Sequence, residues 1–216
     1  MAASIASDPW RSGDSALEQS VVLGDGRPVP LIGFGTFQLV GDAGRQAIRH
    51  ALKVGYRHFD TATSYGNQAE LGAELRASGA DREQLFLTTK LPPGRVGEEH
   101  ATLRESLTEL GTSYVDLWLL HHPVDDASIP TWQAFIDARE AGLVRSIGVS
   151  NHSVEQIDRL HQATGVVPAV NQIRWNPFLF DSVVRDAHRQ RGVAIQGYTP
   201  FRRARLDDRT LAAIAA

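Results

Sequence analysis

The sequence predicts an α/β fold laid out as a (β/α)8 barrel, and three observations predict it. From Val21 onward, apolar runs of strand length alternate with longer stretches of helical periodicity, the pattern of successive βαβ units and a parallel sheet. Polar residues fall at or just past the C-terminal ends of those runs: Asp60, Lys90, His121, Ser150 with Asn151, Gln172 and Tyr198. In a closed parallel barrel these ends converge on one rim, where active sites are built. The rival doubly wound sheet carries Gly-x-Gly-x-x-Gly after its first strand, and Gly33-Phe34-Gly35-Thr36 does not complete that device.

In chain order, residues 1–20 are rich in small and polar side chains and lack both a basic n-region and an apolar h-region, so they read as a disordered leader. Residues 21–216 read as one domain, since 216 residues with 42% hydrophobic content bury one sizeable core. Segments 21–23 and 28–30 flank Gly24-Asp25-Gly26, a tight-turn sequence, and predict an N-terminal β-hairpin over the barrel floor. Seven strands follow at 31–36, 56–60, 85–90, 114–121, 144–150, 169–172 and 194–199. Six helices lie between and behind them, at 43–54, 68–77, 98–110, 129–141, 154–164 and 182–191. A last helical stretch begins near Asp207.

Composition narrows the function. Lys plus Arg number 22 against 25 Asp plus Glu, a net charge of -3, which offers no broad positive field for nucleic acid or an anionic membrane. The expected partner is a small molecule. The absence of cysteine excludes disulfides, thiolate nucleophiles and zinc-thiolate sites, and agrees with a reducing cytoplasm.

The rim residues suggest redox chemistry. Asp60 and Lys90 end consecutive apolar strands, where each charge is costly without the other, so they are expected to pair. Tyr65 lies in the short loop after Asp60, and its phenol, which titrates near about 10 when free, is expected to be lowered by the neighbouring ammonium and to act as a general acid. His121 is placed to hydrogen-bond a bound carbonyl oxygen. With no thiol, flavin cage or metal cage, the two electrons must come from a diffusible hydride donor, for which nicotinamide is the natural candidate. Ser150, Asn151 and Gln172 offer donors and acceptors for its carboxamide, and Tyr198 a flat face for its ring.

These residues in this order resemble the soluble bacterial aldo-keto reductases, similar to the 2,5-diketo-gluconate reductases. The likeness rests on Gly33-Phe34-Gly35-Thr36, Asp60-Thr61-Ala62 through Tyr65-Gly66-Asn67, Thr89-Lys90, Leu120-His121 with Pro123, Gly148-Val149-Ser150-Asn151, Asn171-Gln172 and Tyr198-Thr199-Pro200. The resemblance implies a TIM barrel that reduces small aldehydes, ketones or keto sugars with NADPH. It implies a catalytic tetrad of Asp60, Tyr65, Lys90 and His121, with Ser150, Asn151, Gln172 and Tyr198 holding the nicotinamide, Asp60 bordering it and Thr36 beside its ribose.

His122 stands where the family usually has tryptophan, and Arg174 where it often has an acid. Both bear on the substrate pocket, whose expected walls are Phe37, His121, His122 and Trp175, with Phe178. Relatives continue past the end of this chain with an eighth βα unit that grips the 2′-phosphate. The resemblance therefore implies an incomplete barrel of seven strands, with two exposed edges suited to self-association.

Two other functions compete. A metal-dependent hydrolase would use His58, Asp60 and His121, but Lys90, Ser150, Gln172 and Tyr198 are poor metal ligands, so no metal is expected. A non-catalytic remnant would act as a binding or assembly partner through its sheet edges. Taken singly, Asp60 with Lys90 is also a plain rim salt bridge, and Ser150 with Asn151 a helix N-cap. His50, His100, His161 and His188 are expected to be solvated on helices.

Overall fold

In the computed structural model, which describes residues 17, 19–124, 128–202, 205 and 207–215, the alternation of apolar runs becomes nine strands and seven α-helices. Strands β1 (Ser20–Val22) and β2 (Pro28–Pro30) form the antiparallel hairpin. Strands β3 (Gly33–Gly35), β4 (His58–Asp60), β5 (Phe86–Leu91), β6 (Val115–Leu120), β7 (Val144–Ser150), β8 (Val170–Arg174) and β9 (Ala194–Tyr198) form one parallel sheet in strict sequence order. That order has no reversal point, which removes the doubly wound alternative. Helices α1 (Gly41–Lys53), α2 (Gln68–Ala77), α3 (Glu99–Leu110), α4 (Ser128–Glu140), α5 (Val154–Thr164) and α6 (Ser182–Gln190) separate the strands, and α7 (Arg209–Ala215) follows β9. Of the expected leader, residues 1–16 and 18 lie outside the described residues, and Ser20 is already in β1.

The central strands are buried on both faces along nearly their whole length. Leu87 and Leu91 of β5, Trp118 and Leu120 of β6, and Ile147 and Val149 of β7 face outward into the main core with the helices. There Trp118 stacks on Phe135 of α4 at 3.7 Å, both fully buried. The alternate residues Phe86, Leu117, Leu119 and Val170 form a smaller inner cluster. Helix α1 shows why the helices dock: its buried Gly44, Ile48, Ala51 and Leu52 recur at helical spacing on one face. Gly72 of α2 is required by close approach, since a Cβ there would sit 2.5 Å from the Leu110 carbonyl of α3.

The hairpin closes the lower end of the sheet. Leu23, 3% exposed, packs with Phe86, Val170 and Ala194, the first residues of their strands. At the sheet margins β3 and β9 are the terminal strands and are not hydrogen-bonded to each other.

Three expectations are corrected. Strand β3 is shorter than 31–36, because Leu31 donates its amide to Gln19 and so belongs to the hairpin side. Helix α5 is capped by Ser153 in a reciprocal capping box with Gln156, so Ser150 and Asn151 are not its N-cap. His188 is buried, not solvated: its Nδ1 meets the Val184 carbonyl at 2.7 Å and its Nε2 meets Asn171 Nδ2 at 2.9 Å.

Candidate active site

Asp60, Lys90, Ser150, Gln172 and Tyr198 arrive at one rim because each lies on the inward face of a parallel strand at or near its C-terminal end. Tyr65 arrives differently, on a single 3-10 turn, Thr63–Tyr65, closed by Gly66 in the left-handed conformation (φ 67°). That turn is pinned on two sides. Thr63 donates to the Lys90 carbonyl at 3.0 Å, and Asn67 Nδ2 donates to the carbonyls of Thr36 and Leu39 at 2.7 and 2.9 Å. Neither Thr63 nor Asn67 was a sequence candidate, although both lie in the Asp60 to Asn67 segment.

Lys90 is fully buried and spends its three hydrogens on Asp60 Oδ1 (2.5 Å), the Thr61 carbonyl (2.8 Å) and the Tyr65 hydroxyl oxygen (3.4 Å). An ammonium only donates, so the Tyr65 oxygen accepts and its own proton points elsewhere. Burial is the largest influence on Tyr65 and raises its pKa above 10.0; Lys90 opposes this but does not overcome it. The expected lowering is thus reversed, because removing phenolate from water costs more than one ammonium returns.

His121 stands edge-on to Tyr65, with ring centroids 5.9 Å apart, and stacks on His122 at 4.9 Å. Burial, then the positive charge of Lys90, lowers His121 to about 4, so its imidazole is neutral at physiological pH. Phe37 lies across Tyr65 at 5.1 Å and is half exposed. Trp175 packs edge-on against Phe180 at 5.7 Å and lies beside Gly197, where a Cβ would come within 3.0 Å of its carbonyl. Phe178 is exposed under the Arg205 guanidinium at 4.8 Å.

The remaining polar residues form one network. Gln172 Nε2 donates to Asp60 Oδ2 at 2.7 Å and to Gln196 Oε1 at 2.6 Å. Ser150 donates to the Gln172 carbonyl at 2.8 Å and accepts from Asn151 Nδ2 at 3.0 Å. Asn151, in the left-handed region at φ 61°, also places Nδ2 3.2 Å from the His121 carbonyl and 3.3 Å from His122 Nδ1, and its Oδ1 accepts the Tyr198 hydroxyl at 2.9 Å. Thr36 is fully buried, and both its amide and its hydroxyl donate to the Asp60 carbonyl, at 2.9 and 3.0 Å. Gln196 was missed in the sequence; its signal is the spacing of two from Tyr198, which puts both on one face of β9. The hydrolase set does not assemble among the described residues, where no group of three or more metal-ligating side chains occurs and His58 instead bonds Thr88 at 3.1 Å.

The parallel sheet thus brings the Asp60–Lys90 pair and Tyr65 together at one rim, the arrangement that the resemblance to carbonyl-reducing oxidoreductases leads one to expect. The chain belongs to the aldo/keto reductase family, whose model matches residues 31–214. It is 41% identical over 188 residues to 2,5-diketo-D-gluconic acid reductase B of Corynebacterium sp. (strain SHS752001), covering 85% of this chain and 68% of that protein. An aldo-keto reductase of Mycolicibacterium smegmatis (strain ATCC 700084 / mc(2)155) is 40% identical over 185 residues, with 84% and 67% covered. Among solved structures, an aldo/keto reductase from Brucella melitensis superposes with a TM-score of 0.86 at 40% identity over 91% of this chain and 78% of that one. A Bombyx mori aldo-keto reductase in complex with NADP gives 0.82 at 36% identity over 91% and 75%. Among the described residues no helix is long and apolar enough to cross a membrane.

Proposed function

We propose that this chain reduces the carbonyl of a small aldehyde, ketone or keto sugar with NADPH, and that Tyr65 delivers the proton. The observation that carries the reading is the Lys90 ammonium 3.4 Å from the Tyr65 oxygen: an ammonium only donates, so the hydroxyl proton is left for a carbonyl oxygen at the rim. A raised pKa keeps that proton on Tyr65 through neutrality. Asp60 fixes Lys90, and neutral His121 offers a ring nitrogen to orient the carbonyl. Phe37 and His122 wall the pocket beside it, with Trp175 further along the rim.

The residues present fit a nicotinamide. Its carboxamide NH2 needs acceptors, and Gln172 Oε1 and the second lone pair of Asn151 Oδ1 supply them next to the flat Tyr198 ring. Bound there, the cofactor would supply the hydride that adds to the carbonyl carbon. Ser150 and Thr36, whose hydroxyls are already donating inward, would shape the site. NADPH rather than NADH is supported by the family and by the Bombyx mori complex with NADP. The keto-sugar class is supported by the Corynebacterium relative. In this reading residues 21–216 act as one cytoplasmic unit.

The test is spectrophotometric NADPH oxidation against a panel of aldehydes, ketones and keto sugars, with Tyr65→Phe as control. Turnover that is lost in the variant supports the reading; equal turnover in the variant overturns it. A second reading, association through the sheet margins, is favoured by the terminal positions of β3 and β9. Sedimentation at several concentrations tests it, and a concentration-independent monomer rejects it.

A further inference from the structure

The Gln172 amide has one chemically allowed orientation, set by Asp60, and a second contact that restrains it. Asp60 Oδ2 lies 2.7 Å from it and only accepts, so the atom facing Asp60 must be the NH2 group. The same nitrogen lies 2.6 Å from Gln196, whose near atom must then be its carbonyl oxygen. Both hydrogens of Gln172 Nε2 are thereby consumed. Its Oε1 makes no hydrogen bond among the described residues, which leaves it as the acceptor of this amide still available at the rim. Gln196 is brought there by register, because Gln172 and Gln196 are direct neighbours on β8 and β9. It is half-buried and makes no other side-chain hydrogen bond in the described residues.

We propose that Gln196 is a positioning residue: by taking the second hydrogen of Gln172 Nε2 it restrains the amide that Asp60 orients, so that the Gln172 oxygen is held as an acceptor for the carboxamide of the cofactor. The cofactor half of this inference rests on the reading given under the proposed function. Without Gln196, one hydrogen of Nε2 is unpaired; Asp60 still holds the nitrogen side, but the amide loses its second restraint and is free to twist about that one contact, so its oxygen is no longer held in one direction. Gln196 touches neither substrate nor reacting atoms and acts only through Gln172.

The experiment compares wild type with Gln196→Met, which keeps length and removes the acceptor, and Gln196→Glu, which keeps an acceptor. Side-chain amide resonances of Gln172, assigned by its loss in Gln172→Glu, report the lock without any cofactor; NADPH fluorescence titration reports Kd. The expected result is two well-dispersed Gln172 amide signals in wild type and Gln196→Glu that move or broaden in Gln196→Met. NADPH binding should be weakened about tenfold in Gln196→Met and largely restored in Gln196→Glu. Unchanged amide signals in a folded Gln196→Met overturn the lock, and an unchanged Kd overturns its role in binding. If wild type itself binds no NADPH while the signals respond as expected, the lock stands and the cofactor reading falls.

Discussion

The Lys90 ammonium meets the Asp60 carboxylate at 2.5 Å with the lysine side chain only 1% exposed. A charge held that far from water persists only while its counter-charge and hydrogen bonds remain, so this pair is both a structural and a chemical constraint. Lys90→Met should destabilise the fold by about 3 kcal/mol. Adding Asp60→Asn to it should recover part of that loss, because the stranded carboxylate is removed. Urea unfolding measures both, and a Lys90→Met midpoint equal to wild type would contradict the buried pair.

Tyr65 should hold its proton beyond pH 10.0, since burial outweighs Lys90 in setting its pKa. The protonated form is the acid, so reductive kcat/KM should stay level through neutrality and fall only on an alkaline limb above that value. Tyr65→Phe should lower kcat/KM by roughly a thousandfold while the NADPH Kd changes little. A limb near neutrality in the wild-type profile would argue against this proton source.

His152 is buried behind Ser150, with Nδ1 2.9 Å from the Ser150 carbonyl and Nε2 unsatisfied, and burial lowers it from 6.5 to about 4. Its contribution is fully present above 6.5. As pH falls from there to about 4, the unfolded chain takes up a proton that the folded chain refuses, and stability declines. The loss is about 3 kcal/mol across this window. Chemical denaturation of wild type and His152→Gln at several pH values should show a shallower decline in the variant, with His58, also lowered by burial, contributing to what remains.

Asn151 sits at φ 61° and ties Ser150, His121 and Tyr198 together. Asn151→Gly and Asn151→Ala lose the same hydrogen bonds, but only alanine is strained in the left-handed region. The alanine variant should therefore be less stable than the glycine variant by about 1 kcal/mol. Equal unfolding midpoints would show that the backbone relaxes there.

Much of the fold was legible because its signals are local. The strand-length runs of β5 and β6, and the 3.6-residue recurrence of Ile48, Ala51 and Leu52 in α1, need no knowledge of the partner segment. The hairpin was legible in Gly24-Asp25-Gly26 for the same reason. The candidates Asp60, Lys90, Tyr65 and His121 stood out because ionisable and aromatic polar groups at apolar strand ends are conspicuous along the chain. Gln196 did not stand out, since its only local signal is the spacing of two from Tyr198, and its contact with Gln172 depends on the register of β8 and β9. The cap alternative for Ser150 and Asn151 shows the same limit from the other side, because several polar residues near a helix start compete for the cap and only backbone geometry chooses Ser153.

The sequence by itself determined the order of βα units, the hairpin, and which side chains stand at the strand ends, because periodicity and turn chemistry act between residues a few positions apart. Only the tertiary structure decided that Gln172 meets Asp60 across 112 residues, that His188 is buried on Asn171, and that Tyr65 is raised rather than lowered. Each of those outcomes depends on strand register and on how much water the packed helices and strands exclude. Neither quantity exists until distant segments are brought side by side.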